Sequence, residues 1–199
     1  MLNFFKTILA LSVLFLSIGA NAIDQGDFRL SGLVGNTSLL GDVGNGGQNA
    51  IGYGGGFSYL IADDMAFNIL YSESSHKNDV NHSDLSLGVD YYTGGDDIMA
   101  IYISGGLGFL SNKIEAVKVA ALTGSSVASV SDVTGSGMAI FLGTGVDFAV
   151  GKAMNFGMRF KYNKAFEATE TVNNVEIKTM QDSVDVLAVI SFVMPSKGW

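Results

Sequence analysis

Apolar and polar residues alternate with a period of two along most of this chain. The cleanest run is residues 154–163, where Met154, Phe156, Met158, Phe160 and Tyr162 share one face and Asn155, Gly157, Arg159, Lys161 and Asn163 share the other. That period marks a strand whose two faces meet different surroundings. Upstream, Phe28, Leu30 and Val34 oppose Arg29, Ser31 and Gly35, and Ile51, Tyr53, Phe57, Tyr59 and Ile61 oppose Gly52, Gly54, Gly56 and Ser58. Met65, Phe67, Ile69 and Tyr71 oppose Asn68 and Ser72; Leu85, Leu87, Val89 and Tyr91 oppose Asp84, Ser86, Gly88 and Asp90. Met99, Ile101, Ile103, Leu107 and Phe109 oppose Ala100, Tyr102, Ser104, Gly106 and Gly108. Met138, Ile140, Leu142, Val146 and Phe148 oppose Ala139, Gly143, Gly145 and Asp147. The last run sets Val184, Val186, Ala188, Ile190 and Phe192 against a mixed face of Ser183, Asp185, Leu187, Val189 and Ser191, and Pro195 closes it because proline cannot continue a ladder.

Eight strands result, and their connections alternate long, short, long, short, long, short, long. The short ones are Ala62–Asp64, Thr93–Asp97 and Ala149–Ala153. In an up-and-down sheet all short turns then lie at one end, with both termini, and all long loops at the other. Pairing Ile61 with Met65, Tyr91 with Met99 and Phe148 with Met154 keeps the apolar faces aligned across each turn.

The apolar face holds bulky residues on every strand, whereas its opposite is small or ionisable. A soluble barrel or sandwich would fill its core with the bulky face and show water a surface rich in Lys and Glu. Gly and Ser interspersed with single charges of both signs suit the inside of a narrow closed barrel. The bulky face then turns to lipid, where closure satisfies every backbone group. The expected fold is all-β, an eight-stranded antiparallel up-and-down transmembrane β-barrel with strands of about 9–11 residues in the bilayer.

The start of the chain agrees with export. Lys6 precedes an apolar run, Ile8–Ile18, and Ala20-Asn21-Ala22 supplies small residues at a cleavage point. Residues 1–22 therefore read as a secretory signal peptide and 23–199 as the barrel. Of 11 Lys and Arg only Lys6 falls in the leader, so the remainder carries 10 basic and 19 acidic side chains. That balance argues against nucleic-acid binding. The chain has no Cys, so no disulfide can brace it.

An exported chain with this strand count and loop asymmetry resembles the small outer-membrane barrels of Gram-negative bacteria, the OmpA/OmpX/OmpW- and opacity-protein-like group. Tyr102–Phe109 (YISGGLGF) resembles the aromatic-x-x-x-Gly-x-Gly strand common there. The resemblance covers residues 27–194 and is architectural. It implies residence in the cell outer membrane, both termini in the periplasm, contact with outer-membrane lipid and lipopolysaccharide, and insertion by the barrel-assembly machinery. Members often end in an aromatic residue on the last strand, which that machinery reads. Here either Phe192 within the strand or Trp199 beyond Pro195 fills the role, with Phe192 preferred.

Arg29, Asp90, Asp147, Arg159, Lys161 and Asp185 all fall on the inner face and should converge as a lumen charge network, since buried charges must pair or be hydrated. They form either a paired plug, which we favour, or the lining of a narrow conduit with ion preference. His76 and His82 are placed in a solvated loop, 73–83, where their spacing with Asp79 and Asp84 matches no metal motif. His82, Ser83 and Asp84 are adjacent, and adjacent strand residues cannot serve one site. No catalysis, metal or cofactor is expected. The role is structural or surface-interacting, with an extracellular ligand taken by the long loops; the alternative is a narrow, porin-like channel for ions or, by analogy with OmpW, small apolar solutes.

Two loops are expected to extend the sheet. Lys113–Leu122 and Val127–Val133 flank a turn at 123–126, and Thr171–Ile177 forms a hairpin with Asn173-Asn174 at its tip. A two-residue tip would misalign Tyr162 and Val184, so a bulge or a three-residue tip is expected between Ala165 and Gln181.

Overall fold

The computed structural model describes residues 25–41, 48–77, 80–95, 98–151 and 153–196. The expected leader (1–22) and Trp199 lie outside them. The strands are β1 Phe28–Leu40, β2 Gln48–Ala62, β3 Met65–His76, β4 Val80–Gly95, β5 Met99–Ile114, β6 Val133–Ala149, β7 Met154–Ala165, β8 Thr169–Val172, β9 Val175–Lys178 and β10 Asp182–Met194. A helix, α1 (Ala116–Thr123), and a 3₁₀ turn (Val127–Ser129) link β5 to β6. Eight strands close into an antiparallel barrel in the order β1-β10-β7-β6-β5-β4-β3-β2, while β8 and β9 pair only with each other.

Alternation places the side chains as the period of two demands. Leu30, Tyr53, Phe67, Ile103, Leu142, Met158 and Ile190 are exposed, whereas Arg29, Asn68, Asp90, Asp147, Asn155, Arg159, Lys161 and Asp185 are buried. An exposed belt of Phe, Tyr, Ile, Leu and Met running round a closed sheet is a surface for lipid, because every backbone group is satisfied within the sheet. Leu142, mid-belt on β6, keeps 69% of its surface exposed.

The barrel strands run 12–17 residues, longer than a bilayer needs, because the ladder continues above the apolar belt. The first long connection shrinks as β1 extends to Leu40, and the described residues of 73–83 are mostly strand: β3 reaches His76 and β4 starts at Val80. The turns also differ from expectation. Tyr91 pairs with Ile103 rather than Met99, and Phe148 with Phe156 rather than Met154. Both real pairs keep the expected parity, so the faces stay aligned. A register shift between Leu60 and Ala62 sets Ala62, not Ile61, opposite Met65.

Two loop expectations fail. Residues 116–123 are helical, not strand. Ala, Val, Lys and Leu can line a helix as readily as a short strand, and Gly124 closes α1 in the left-handed conformation, φ 66°. The β8–β9 hairpin has neither bulge nor third tip residue: Val172 pairs with Val175 across Asn173-Asn174, whose φ angles are 50° and 64°. The parity mismatch with the barrel is absorbed instead where the ladder is interrupted, at 166–168 and 179–181, where the amides of Thr179 and Met180 share the Ala168 carbonyl.

Candidate functional site

The lumen is built in tiers, each from inward positions of several strands. In the lowest, Arg29 on β1 donates from Nη1 to Asp147 Oδ2 on β6 at 2.9 Å and to the Tyr92 hydroxyl on β4 at 2.8 Å. Beside it Arg159 on β7 donates from Nη2 to Asp90 Oδ2 at 2.5 Å and from Nε to the Tyr102 hydroxyl at 3.1 Å. The Tyr92 and Tyr102 rings lie 5.5 Å apart, and each arginine covers one, at 5.3 Å and 5.0 Å. Planar guanidinium groups suit this role, since one group can satisfy a carboxylate, a phenol and a ring face.

The middle tier is mostly apolar. Leu33, Leu70, Leu187 and Val189 pack together inside the barrel. Phe141 on β6 reaches across to β4 and β5, where a Cβ on Gly88 or Gly106 would stand 2.4 Å or 2.8 Å from its ring. The inner glycines thus admit an aromatic ring rather than leave a bore.

Above it, Lys161 on β7 bridges Asp84 on β4 and Asp185 on β10, the latter at 3.3 Å, and donates to Ser86 Oγ at 3.1 Å. Asn163 Nδ2 donates to Asp84 at 2.9 Å and to Ser183 Oγ at 2.8 Å. The six charged residues read from the sequence therefore fall into two groups: Arg29, Asp147, Arg159 and Asp90 below, Lys161 and Asp185 above. Asp84, Tyr92 and Phe141 complete these groups and were not among the six, although Asp84 has the parity of Asp90 on β4 and Phe141 that of Asp147 on β6.

At the mouth on the long-loop side the polarity reverses. Leu39, Val80, Ile114 and Val133 turn inward from the wall and pack against Val119 of α1 and Ile177 of β9, all buried. His76 and His82, expected in a solvated loop, are 6% and 3% exposed just below this stopper. Strand parity aims both inward. His82 Nδ1 lies 2.7 Å from Asn112 Oδ1, and Asn112 Nδ2 donates to the Thr179 carbonyl at 2.9 Å, tying the wall to the β8–β9 segment. Ser83 faces outward between His82 and Asp84, so the three do not converge. Among the described residues no group of three or more His, Cys, Asp and Glu side chains is placed to hold a metal ion.

The loop behind the stopper is anchored from outside the barrel. Asp132 accepts from Lys113 Nζ at 2.8 Å and from the Ala116 amide, at the start of α1, at 2.9 Å. These bonds hold the Asp132 carboxyl below its ordinary value and push the Lys113 ammonium above its own.

No protein-family model and no curated protein matches the sequence. Solved structures do. Neisserial surface protein A (NspA) is 15% identical with a TM-score of 0.62, over 84% of this chain and 99% of that one. The N-terminal β-barrel domain of Pseudomonas aeruginosa OprF is 15% identical with a TM-score of 0.59, over 86% and 100%. Ail, the attachment invasion locus protein of Yersinia pestis, is 11% identical with a TM-score of 0.55, over 85% and 99%. At these identities the likeness is one of fold. The chain has the fold of the small eight-stranded outer-membrane barrels, with the apolar belt that such a barrel turns to the lipid of that membrane.

Proposed function

We propose that this barrel is a structural and surface-interacting protein of the outer membrane, with a closed lumen and no catalysis. The observation that carries the reading is the stopper: six apolar side chains from four wall strands, α1 and β9 meet across the mouth. Beneath it the Lys161 group, the Leu33–Leu187 layer and the two arginine pairs each reach across the interior. An eight-stranded barrel is only wide enough for side chains to fill. Against catalysis stands the separation of His82, Ser83 and Asp84 onto opposite faces. The helix and hairpin above the mouth are the surface that meets other molecules. Ail has been crystallised with the heparin analogue sucrose octasulfate, which supports an extracellular glycan-type contact for a barrel of this shape. Planar-bilayer recordings of the refolded chain test the closed lumen: the expected outcome is no unitary current, and reproducible steps would overturn it.

A second reading, a narrow ion conduit, is favoured by one observation. Arg29 Nε and Nη2, Arg159 Nη1, both polar atoms of Asn68, Asp90 Oδ1 and Ser104 Oγ are buried without a protein partner. Buried groups of this kind take water, so the periplasmic half is a hydrated vestibule. Conduction then requires the stopper to move. Val119→Asp with Ile177→Asp should produce current under this reading and none if the lower tiers also seal.

A further inference from the structure

The outer wall of β3–β6 changes character along a line that the register makes straight. Tyr71, Leu85, Phe109 and Met138 are mutual neighbours across the four strands and form the last apolar row. The next outward row is Glu73, Ser83, Ser111 and Ser136, and the one above it is Ser75, Asn81, Lys113 and Thr134. Glu73, Ser75, Asn81, Ser83, Ser111 and Lys113 line a shallow concavity of about 240 Å³ on this panel. The hydroxyls and amide are available: among the described residues Ser75, Asn81 and Ser83 make no side-chain hydrogen bond. Of the outward hydroxyls lining it, only that of Ser111 is engaged, accepting from Ser136 at 3.0 Å.

The rest of the circumference differs at this height. On β7 and β10 Lys164 is paired with Asp182 at 2.9 Å, and Asp182 also accepts from the Tyr162 hydroxyl at 2.7 Å. On β1 and β2 Ser38 donates to Asn49. Polar side chains there satisfy one another, whereas Ser75, Asn81 and Ser83 of the panel make no side-chain hydrogen bond among the described residues.

We propose that this panel binds the neutral sugar units of an outer-leaflet glycolipid. The panel is continuous with the lipid-facing rows, one residue pair above them. A lipid whose acyl chains lie against Tyr71, Leu85 and Phe109 therefore brings its headgroup to Ser83, Ser111 and Asn81. Hydroxyl and amide groups spaced by strand geometry match the alternating donors and acceptors of a sugar ring. Charge decides against a phosphate as the group recognised. Lys113, the one cation on the panel, is already paired with Asp132. Glu73 adds a negative charge to the panel, held by hydroxyls of Tyr53 and Tyr71. The proposal does not depend on whether the lumen conducts.

The test uses the refolded full chain in phosphatidylcholine bicelles, read by amide chemical shifts. The bicelles are doped in turn with lipid A and with lipopolysaccharide carrying its core sugars, and free core oligosaccharide is added in a separate arm. Core-bearing lipopolysaccharide should shift Ser75, Asn81, Ser83 and Ser111, and lipid A, whose glucosamine units carry the acyl chains, should shift only the lower row, Ser83 and Ser111. Ser83→Ala with Ser111→Ala should weaken the apparent affinity about tenfold, the effect of two lost hydrogen bonds, with the remaining spectrum unchanged. Asn81→Ala alone should weaken it less, and Lys164→Ala on the opposite wall should not. No shift with either lipid, or an unaffected double variant, would overturn the proposal. Equal response to free oligosaccharide would overturn it in favour of a soluble glycan.

Discussion

Along β5 the outward residues from Ile101 to Phe109 are mostly bulky and apolar, and their inward neighbours include Tyr102, Ser104, Gly106 and Gly108. A few residues further on, the outward positions are Ser111 and Lys113, and the inward ones are Leu110, Asn112 and Ile114. The same strand, in unbroken register, is inside-out in its lower part and built like a water-soluble protein in its upper part. β4 does the same: outward Leu87 and Leu85 give way to Ser83 and Asn81, and inward Asp90 and Asp84 give way to Val80. The lower interior can hold charge because it pairs it and because lipid takes the apolar wall. The upper interior is apolar because water takes the wall there. Sheet geometry is constant; the solvent outside decides which face carries which chemistry.

Each prediction separates the two halves. The largest effect should come from Arg159→Ala, which strands Asp90 (2% exposed) in the lower tier and should cost about 3–5 kcal/mol in urea unfolding of the refolded protein in bilayers. Ile177→Ala opens the stopper and should cost about 2–5 kcal/mol, as an aliphatic core truncation does; a cost near zero would mean that the upper interior is not a packed core. Leu142→Arg and Ser136→Arg compare two outward positions on one strand. The first should cost about 2–4 kcal/mol at mid-bilayer and the second stay within about 0.5 kcal/mol, and equal costs would erase the boundary between the halves. The smallest effect concerns pH. The Asp132 carboxyl is held down by the Lys113 and Ala116 bonds, so its contribution is complete above the ordinary value of 3.8 and disappears as pH falls through the lower folded value. Lys113 is pushed up, so its share persists to above 10.5 and is lost as pH rises further. Both groups are exposed, so the effect should be seen as faster amide exchange at Ala116 and its neighbours at either extreme, with global unfolding unchanged.

Much of the lower half was legible because lipid makes alternation strict. Met154 to Asn163 reads as a strand, and its parity assigns Arg159 and Lys161 to the interior, from the primary structure alone. Asp84 and Phe141 carry the same parity signal, Asp84 with Asp90 on β4 and Phe141 with Asp147 on β6. The upper half is harder to read for a different reason. Residues 73–83 are polar at every outward position, which looks like a loop, yet the ladder runs to His76 and resumes at Val80. Once a strand leaves the bilayer its outward residues turn polar, and the contrast that betrayed it is lost. Local pattern also could not separate strand from helix at 116–123, where the outcome depends on Val119 finding Val80 and Ile114.

The amino-acid order by itself determined the number of barrel strands, their direction, their faces and the end at which the short turns lie, because each follows from a period of two and from loop length. Only the tertiary structure decided which carboxylate meets which cation, that the glycines of β4 and β5 make room for Phe141, and that a helix and a hairpin stop the mouth. Those outcomes depend on strand stagger and on contacts between residues far apart in the chain, to which no local periodicity is sensitive.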